Sequence, residues 1–587
     1  MKGKKSRTVL RWISLTTGNI KWMIGALILL RVIVSTGSVF YALILRNIVN
    51  AAAERNAEEF ISGGITFAAL SVLLLVLQAV AAYVEENTSA TVENRLKHTL
   101  FRALLHREYA AVTAVHSGEW INRLTSDTNL VATEAVQILP GFISTVEKML
   151  FALALIIQME PRFCFFLFPA GAALIIGSYF LRKHMVQMHK KTQEKSGRLR
   201  VYMQEVLSGL LVVRSYAVEK EALSQMDTHM QAHKSARLKK SVFTNICSAG
   251  FGLFMNSIYI FGVVFFGWGI LNGTLFYGDF VAMLQLVGQV QGPIAGLSGY
   301  MPRFYNMIAS AERLMGAEDF GKEKTDALSA MEVHNAYKNR ITEIGLSHVS
   351  FTYRAPIQNN GEEIAGEETH VLQDISLLIK KGEYVAFVGN SGCGKSTILK
   401  LFLGLYEPEK GEGYVSLSGN REKLTRKWQR LFAFVPQANY LMSGTIREVI
   451  AFADPGQMQQ EERIRNALKI ACADGFVHAL ENGIDTQLGE RGAGLSEGQM
   501  QRIAIARAVF SEHPILVLDE STAALDEKTE AEVLQNLRAM TDKTVLIVTH
   551  RPSVLSICDK LIRFERAENN ETDYQVRLTE EIIQKEQ

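Results

Sequence analysis

The sequence predicts two unlike architectures in one chain: an all-α unit of six long apolar helices, then an α/β domain built on a largely parallel sheet. Two observations predict the division. Long apolar stretches dominate up to about residue 307, whereas from about residue 341 short apolar runs alternate with amphipathic ones. The second observation is a glycine-rich turn, Gly389 to Thr397, set between an apolar run that reads as a strand and one that reads as a helix.

The elements justify themselves in order. The N-terminus is basic (Lys2, Lys4, Lys5, Arg7, Arg11), and an apolar stretch begins near Met23. That stretch is too long for a signal peptide and no small-residue cleavage site follows it, so it reads as a membrane span. A helix crossing the hydrocarbon core needs about 20 mostly apolar residues. Six segments meet that need: 23–48, 60–84, 137–158, 162–182, 243–271 and 277–306. The third and fourth are joined by Glu160-Pro161-Arg162, a tight turn that makes them a hairpin. The gaps 85–136 and 183–242 are much longer and carry helical periodicity with mixed charge.

Basic residues mark the cytoplasmic side of a span. They crowd the N-terminus and the segment from Arg182-Lys183 through Lys190-Lys191, Lys195, Arg198 and Arg200, whereas the 272–276 connection has none. Both termini and both long gaps are therefore expected in the cytoplasm, on a multi-pass protein of the cell membrane. Arg31, Glu147, Lys148, Asn245, Asn256, Gln285, Gln289 and Gln291 lie inside the expected spans. Such groups face a bundle interior or a wet cavity, where they bond across helices or line a substrate path.

With 587 residues, 48% of them apolar, and a net charge of only +2, the chain has no basic stripe, which excludes nucleic acid as a partner. Cys164, Cys247, Cys393, Cys472 and Cys558 form no C-x-x-C pair, so neither a zinc site nor a disulfide framework is expected. The membrane part is placed at 1–315, a linker at 316–340 and the second domain at 341–587. The polar run between Asn359 and Glu368 reads as a solvated hairpin tip.

Gly389-Asn390-Ser391-Gly392-Cys393-Gly394-Lys395-Ser396-Thr397 has the G-x-x-x-x-G-K-[ST] form. Its glycines let main-chain N–H groups curl around phosphates, Lys395 brings a charge to the β- and γ-phosphates, and Ser396 offers a hydroxyl to Mg²⁺. Cys393 inside it reads as a tolerated small residue. Ile515–Glu520 is an apolar strand ending in two carboxylates, Asp519 placed for Mg²⁺ and Glu520 for polarising a water. Thr544–Thr549 is a further apolar strand, ending in His550, and Gln437 follows the run Phe432–Pro436. Tyr353 is placed to stack an adenine ring. Leu495-Ser496-Glu497-Gly498-Gln499 is a second turn that opens a helix.

In this order these motifs, with Ala524-Leu525-Asp526, resemble the nucleotide-binding domain of ABC transporters, and Gly489-Glu490-Arg491-Gly492 is similar to a loop of exporter-type members. The upstream half resembles the six-span exporter fold. Ser117–Asp127 and Gly209–Glu219 are similar to that family's cytoplasmic loops, which implies short coupling helices near 115–125 and 210–220.

The resemblance implies a P-loop NTPase domain with a helical subdomain, and ATP and Mg²⁺ as cofactors. It assigns Glu520, His550 and Gln437 to catalysis, and Ser396, Gln437 and Asp519 to Mg²⁺. Leu495, Ser496, Gly498 and Gln499 are then the signature facing a partner's ATP, with Asp526 in the adjoining loop. It implies a head-to-tail pair, favoured as a homodimer because no catalytic position is lost, or a heterodimer with a related half-transporter. The implied function is ATP-driven export of a small molecule, lipid or peptide by alternating access, with an importer on the same fold, or an ATP-gated channel or regulatory subunit, as alternatives. The signature departs from the family's usual pair of glycines in having Glu497, which is expected to point away from the nucleotide.

Overall fold

The computed structural model describes residues 2–583, except 116, 298, 319–326, 355–356, 360–361, 365–367, 438–440, 490–491, 493 and 570–572. The whole Gly321–Lys324 linker stretch, parts of the Asn359–Glu368 insertion and Glu490-Arg491 thus lie outside the described residues. Two compact units form, one of residues 1–101 with 121–318, the other of residues 102–120 with 319–587.

The first unit is helical. Among the described residues, Lys21–Ala53, Ala57–Leu105, Ser117–Met159 and Glu219–Leu271 have both the length and the apolar window to cross a membrane. Cys164–Ser208 and Tyr277–Leu297 occupy the other two expected spans. The hairpin turn forms where expected, as a single tight helical turn over Pro161–Phe163. The long gaps are largely continuations of spans. Ala57–Leu105 has 49 residues, about 74 Å at 1.5 Å per residue, against roughly 30 Å of hydrocarbon.

One expected span is corrected. Residues 277–306 are not a single helix; the first helix ends at Leu297 and a second runs Tyr300–Glu318. Gly292, Pro293, Gly296 and Gly299 crowd the break. Proline removes an intrahelical donor and clashes with the carbonyl one turn back, and each glycine costs about 1 kcal/mol relative to alanine in a helix.

Polar residues inside the spans tie helices together. Arg31 pairs with Glu85 and Arg46 with Asp279. Thr36 Oγ1 donates to Glu147 Oε1 at 2.7 Å, Gln289 Nε2 to Ser38 O at 3.0 Å and Gln291 Nε2 to Met255 O at 2.9 Å. Between the long helices Cys164–Ser208 and Glu219–Leu271 sits a short one, Leu210–Ser215, with Leu211 83% exposed. A helical turn also forms at Ser117–Asn122, continuing as a π-type turn over Arg123–Asp127.

In the second unit five strands run parallel in the order Phe432–Val435, Ile515–Asp519, Thr544–Val548, Tyr384–Gly389, Lys560–Asn569, and Asp573–Ile582 closes the last edge antiparallel. Ile515–Asp519 and Thr544–Val548 are buried along their whole length, as central strands covered on both faces must be. An antiparallel sheet of Glu368–Lys380, Ile341–Arg354, Lys410–Leu417 and Asn420–Lys423 forms a second layer. Helix Lys395–Phe402 shares a core with both sheets through Ile398, Leu399, Leu401 and Phe402. A helical region including Glu461–Ile470 and Glu497–Phe510 packs with the parallel sheet's other face.

Candidate nucleotide site

Parallel pairing decides the geometry. Because Tyr384–Gly389, Thr544–Val548, Ile515–Asp519 and Phe432–Val435 are parallel neighbours, their C-terminal ends share one edge. The glycine-rich turn, His550, Asp519 with Glu520, and Gln437 follow those four strand ends in that order. Ligands bind at this edge in open α/β sheets.

The turn's backbone is one that side chains resist. Gly392 has φ +81° and Gly394 φ +90°. A Cβ on Gly389 would lie 2.5 Å from Phe564 O, and one on Gly394 2.9 Å from Leu372 Cδ2. Gly394 caps helix Lys395–Phe402 without a side-chain bond, so the helix's first amides remain donors for an anion. Lys395 is buried and donates from Nζ to Gly389 O at 2.6 Å and Asn390 O at 2.9 Å, closing the turn on itself. Cys393 is buried, its Sγ 3.7 Å from that ammonium. These residues fit a polyphosphate.

Asp519 is buried and bonded to the Ser396 hydroxyl. Burial pushes its carboxyl above the usual range, the Ser396 bond opposes that, and Glu520 beside it adds to the rise. A carboxylate poorly solvated in this way gains from a cation, and one carboxylate with one hydroxyl suits Mg²⁺, which takes few protein ligands and keeps phosphate and water oxygens. Among the described residues no cluster of three or more His, Cys, Asp or Glu offers an all-protein metal cage.

Glu520 joins two of the other strand-end groups. Its φ of +48° is a left-handed conformation unusual for a side-chain-bearing residue, held by its N–H bond to Val548 O at 3.0 Å. Strain of about 1–3 kcal/mol is typical where a site fixes such a residue. Oε2 accepts from Gln437 Nε2 at 2.8 Å, and Oε1 lies 3.5 Å from His550 Nε2. Two residues far from each other in sequence, Gln437 and His550, thus converge on the Glu520 carboxylate.

Tyr353 donates or accepts at 3.2 Å with Thr397 Oγ1. Its ring meets Tyr406 edge-on at 5.5 Å, and Tyr406 meets Tyr109 at 5.8 Å. Arg426 Nη2 donates to Leu105 O at 3.1 Å, a second tie to the 102–120 segment. Tyr406 and Tyr109 carried no motif, and only the turn after helix Lys395–Phe402 hinted at the former.

The second turn is held by its own contacts. Ser496 caps helix Glu497–Phe510 in a reciprocal box with Gln499. Gly498 is packed so that a Cβ would lie 2.8 Å from Ala524 O. Glu497 is exposed in the first helical turn, where a carboxylate favours the helix dipole. Among the described residues no hydrogen bond or ion pair joins 495–499 to 389–397. Asp526 caps helix Glu527–Arg538 by accepting from Thr529 N at 3.0 Å.

Two residues that sequence reasoning missed hold the intervening loop. Arg551 donates to Leu525 O at 3.0 Å and Ala523 O at 2.7 Å, and pairs with buried Glu530 at 3.1 Å. Gln501 accepts from Ala524 N at 3.0 Å. The adjacency of Arg551 to His550 was the available signal.

Comparison with known proteins agrees with this layout. A family model described as "ABC transporter transmembrane region" matches residues 24–294, and one described as "ABC transporter" matches 372–523. The chain is 27% identical over 508 residues to the leukotoxin translocation ATP-binding protein LktB of Mannheimia glucosida, covering 86% of this chain and 68% of that protein. It is 27% identical over 498 residues to the ATP-dependent lipid A-core flippase of Aliivibrio fischeri, covering 83% and 81%. A bacterial Atm1-family ABC exporter, solved with ATP bound, shares the fold with a TM-score of 0.72 at 21% identity, covering 93% of each chain.

Proposed function

Because this chain belongs to the ABC transporter family, with a transmembrane region and an ATP-binding region in one polypeptide, we propose that it is an ATP-driven exporter that works as a pair of such chains. The observation that carries this is Glu520, held between Gln437 and His550 at the sheet edge beside the phosphate turn, in a chain that also has membrane-spanning helices. Export rather than uptake is supported by the relatives, whose names state toxin translocation and lipid flipping.

In this reading Lys395 and the amides of residues 390–396 hold the triphosphate, Ser396 and Asp519 hold Mg²⁺ with Gln437 at its edge, and Tyr353 stacks the base. Mg²⁺ supplies charge neutralisation to the phosphates when bound. Glu520 accepts a proton from an attacking water oriented by Gln437, and His550 donates to charge developing on the phosphate. Ser496 and Glu497 are exposed, and among the described residues 495–499 make no hydrogen bond to their own chain's phosphate turn, which supports the pairing: a head-to-tail partner supplies that turn across the nucleotide. The short helices at 117–122 and 210–215 then pass nucleotide-domain closure to the spans, switching their access between the two faces of the membrane. The basic N-terminus and basic 182–200 segment support a cytoplasmic nucleotide domain in this reading.

The test is Glu520→Gln in purified, lipid-reconstituted protein. Hydrolysis of Mg·ATP is expected to fall by about 10²–10⁴-fold while binding of a fluorescent ATP analogue persists. Turnover within twofold of wild type removes Glu520 from the chemistry. ATP-dependent accumulation of cargo in right-side-out vesicles, and none in inverted ones, overturns the direction.

A further inference from the structure

The membrane unit contains an open pocket of about 460 Å³ at the break between helices Tyr277–Leu297 and Tyr300–Glu318. That volume is in the range of ligand sites, roughly 300–1,000 Å³. Its wall is of mixed character. Pro293, Gly296 and Gly299 supply the broken helix, Ser35 and Thr145 supply hydroxyls, and Lys148 supplies an ammonium.

Of the two cations that line the pocket, the bonding around it leaves one without an ion pair among the described residues. Ser35 Oγ donates to Ser144 O at 3.0 Å, and Thr145 Oγ1 to Gly141 O at 2.7 Å. Arg303 also lines the pocket, but its Nε donates to both oxygens of Glu134 at 3.0 and 2.7 Å and its Nη2 to Gln137 Oε1 at 2.7 Å. Glu85 and Asp279 are paired with Arg31 and Arg46. Glu147, adjacent to Lys148 in sequence, accepts from Thr36 through Oε1, while its buried Oε2 makes no hydrogen bond; its charge acts on Lys148 from beyond ion-pair distance, and it does not line the pocket. Among the described residues, Lys148 makes no hydrogen bond and has no carboxylate oxygen within 4.0 Å. It is a half-buried cation with three free N–H donors in the middle of a membrane helix. Such a charge is costly inside a membrane, and the neighbouring Glu147 carboxylate offsets it only in part. The helix beginning at Tyr300 adds the positive end of its dipole to the same pocket, which Gly299 and Tyr300 line.

We infer that this pocket binds the anionic head of an amphiphile, with Lys148 as its counter-ion and the small-residue break as the room for it. The ligand class is a carboxylate or phosphate on an apolar body. A permanently cationic amphiphile is disfavoured, because it would place a second positive charge beside Lys148. The identification of this ligand as cargo rests on the export reading above; its binding does not.

The experiment measures binding without ATP, so it answers even if the chain hydrolyses nothing. The full chain is placed in phosphatidylcholine nanodiscs and titrated with radiolabelled palmitate, lysophosphatidate and hexadecyltrimethylammonium in a scintillation proximity assay. Wild type is expected to bind at least one anionic probe and to bind the cationic probe at least tenfold more weakly. The two anionic arms distinguish a carboxylate ligand from a phosphate one. Lys148→Met is expected to weaken the anionic probe at least tenfold, and Lys148→Arg to restore it to within threefold. Equal binding of anionic and cationic probes by wild type, or unchanged anionic binding in a Lys148→Met protein with wild-type thermal unfolding, overturns the assignment. Loss in both Lys148→Met and Lys148→Arg, with wild-type unfolding in both, also overturns it, since the charge is then not what binds. A wild type that binds the anion but lacks ATP hydrolysis refutes the exporter reading and leaves the pocket standing.

Discussion

Arg551→Met tests the clamp on residues 523–525. In the folded domain Arg551 neutralises Glu530, which is 1% exposed and has one further partner, Ser553 Oγ at 2.7 Å. Glu530 Oε1 is buried with no hydrogen bond, so Arg551 is the main compensation for that charge. Removing one member of a buried pair costs about 3–5 kcal/mol. The two bonds to Leu525 O and Ala523 O add about 1–3 kcal/mol, because arginine alone reaches both carbonyls. At roughly 2–4 °C per kcal/mol for a domain of this size, the charge effect alone lowers the unfolding temperature by about 6–20 °C. The assay is thermal unfolding of the full chain followed by intrinsic fluorescence, alongside ATP hydrolysis. Arg551→Met/Glu530→Gln is expected to recover at least half of the lost temperature, since no buried charge remains, yet to hydrolyse ATP more slowly than wild type because the loop before Asp526 is released. A single variant within 2 °C of wild type, or a double variant no more stable than the single one, refutes the reasoning.

Tyr406→Leu removes the edge contacts with Phe351, Tyr353 and Tyr109, each worth about 0.5–1.5 kcal/mol; the expected result is a several-fold higher KM for ATP in steady-state hydrolysis, with kcat changed less than twofold. His513 gives a pH effect. Burial pulls its imidazole below the usual range, with a bond to Phe432 O working the other way. Because the unfolded histidine takes up its proton at the ordinary pKa of about 6.5 and the folded one at a lower pH, stability is full above 6.5 and is lost as pH falls through that value. Between pH 7.5 and 5.5 the unfolding temperature of wild type is expected to fall further than that of His513→Gln; equal falls would dismiss the histidine as the cause.

What was legible in the sequence follows from range. The turn 389–397 and the strand ending at Asp519-Glu520 are local patterns whose chemistry is written in consecutive residues, and they could be read directly. Apolar spans are equally local, but the break at 297–300 was missed because hydropathy averages over glycines and a proline that matter one by one. Expecting Gln437 and His550 near Glu520 required knowing strand order, which a single sequence states only by resemblance. Arg551 and Gln501 were invisible because their work is done on backbone carbonyls and amides, which no side-chain motif records. Tyr109 and Tyr406 lie about 300 residues apart, and only the fold makes them neighbours.

The length of the helices has a mechanical consequence. Cys164–Ser208 spans 45 residues and Glu219–Leu271 spans 53, joined at their ends through the short helix Leu210–Ser215. The first is about 68 Å long, so some 38 Å remains outside a hydrocarbon layer of roughly 30 Å. Two such rods packed side by side, with Tyr202 donating to Ala222 O at 2.9 Å, resist bending and act as one lever. By simple leverage, a swing of about 10° at the membrane edge carries the tip by roughly 7 Å. Read in the other direction, a displacement of a few ångströms at Leu210–Ser215 becomes a rotation of only a few degrees within the bilayer. The arm therefore trades distance for force, delivering small, stiff rotations to the spans.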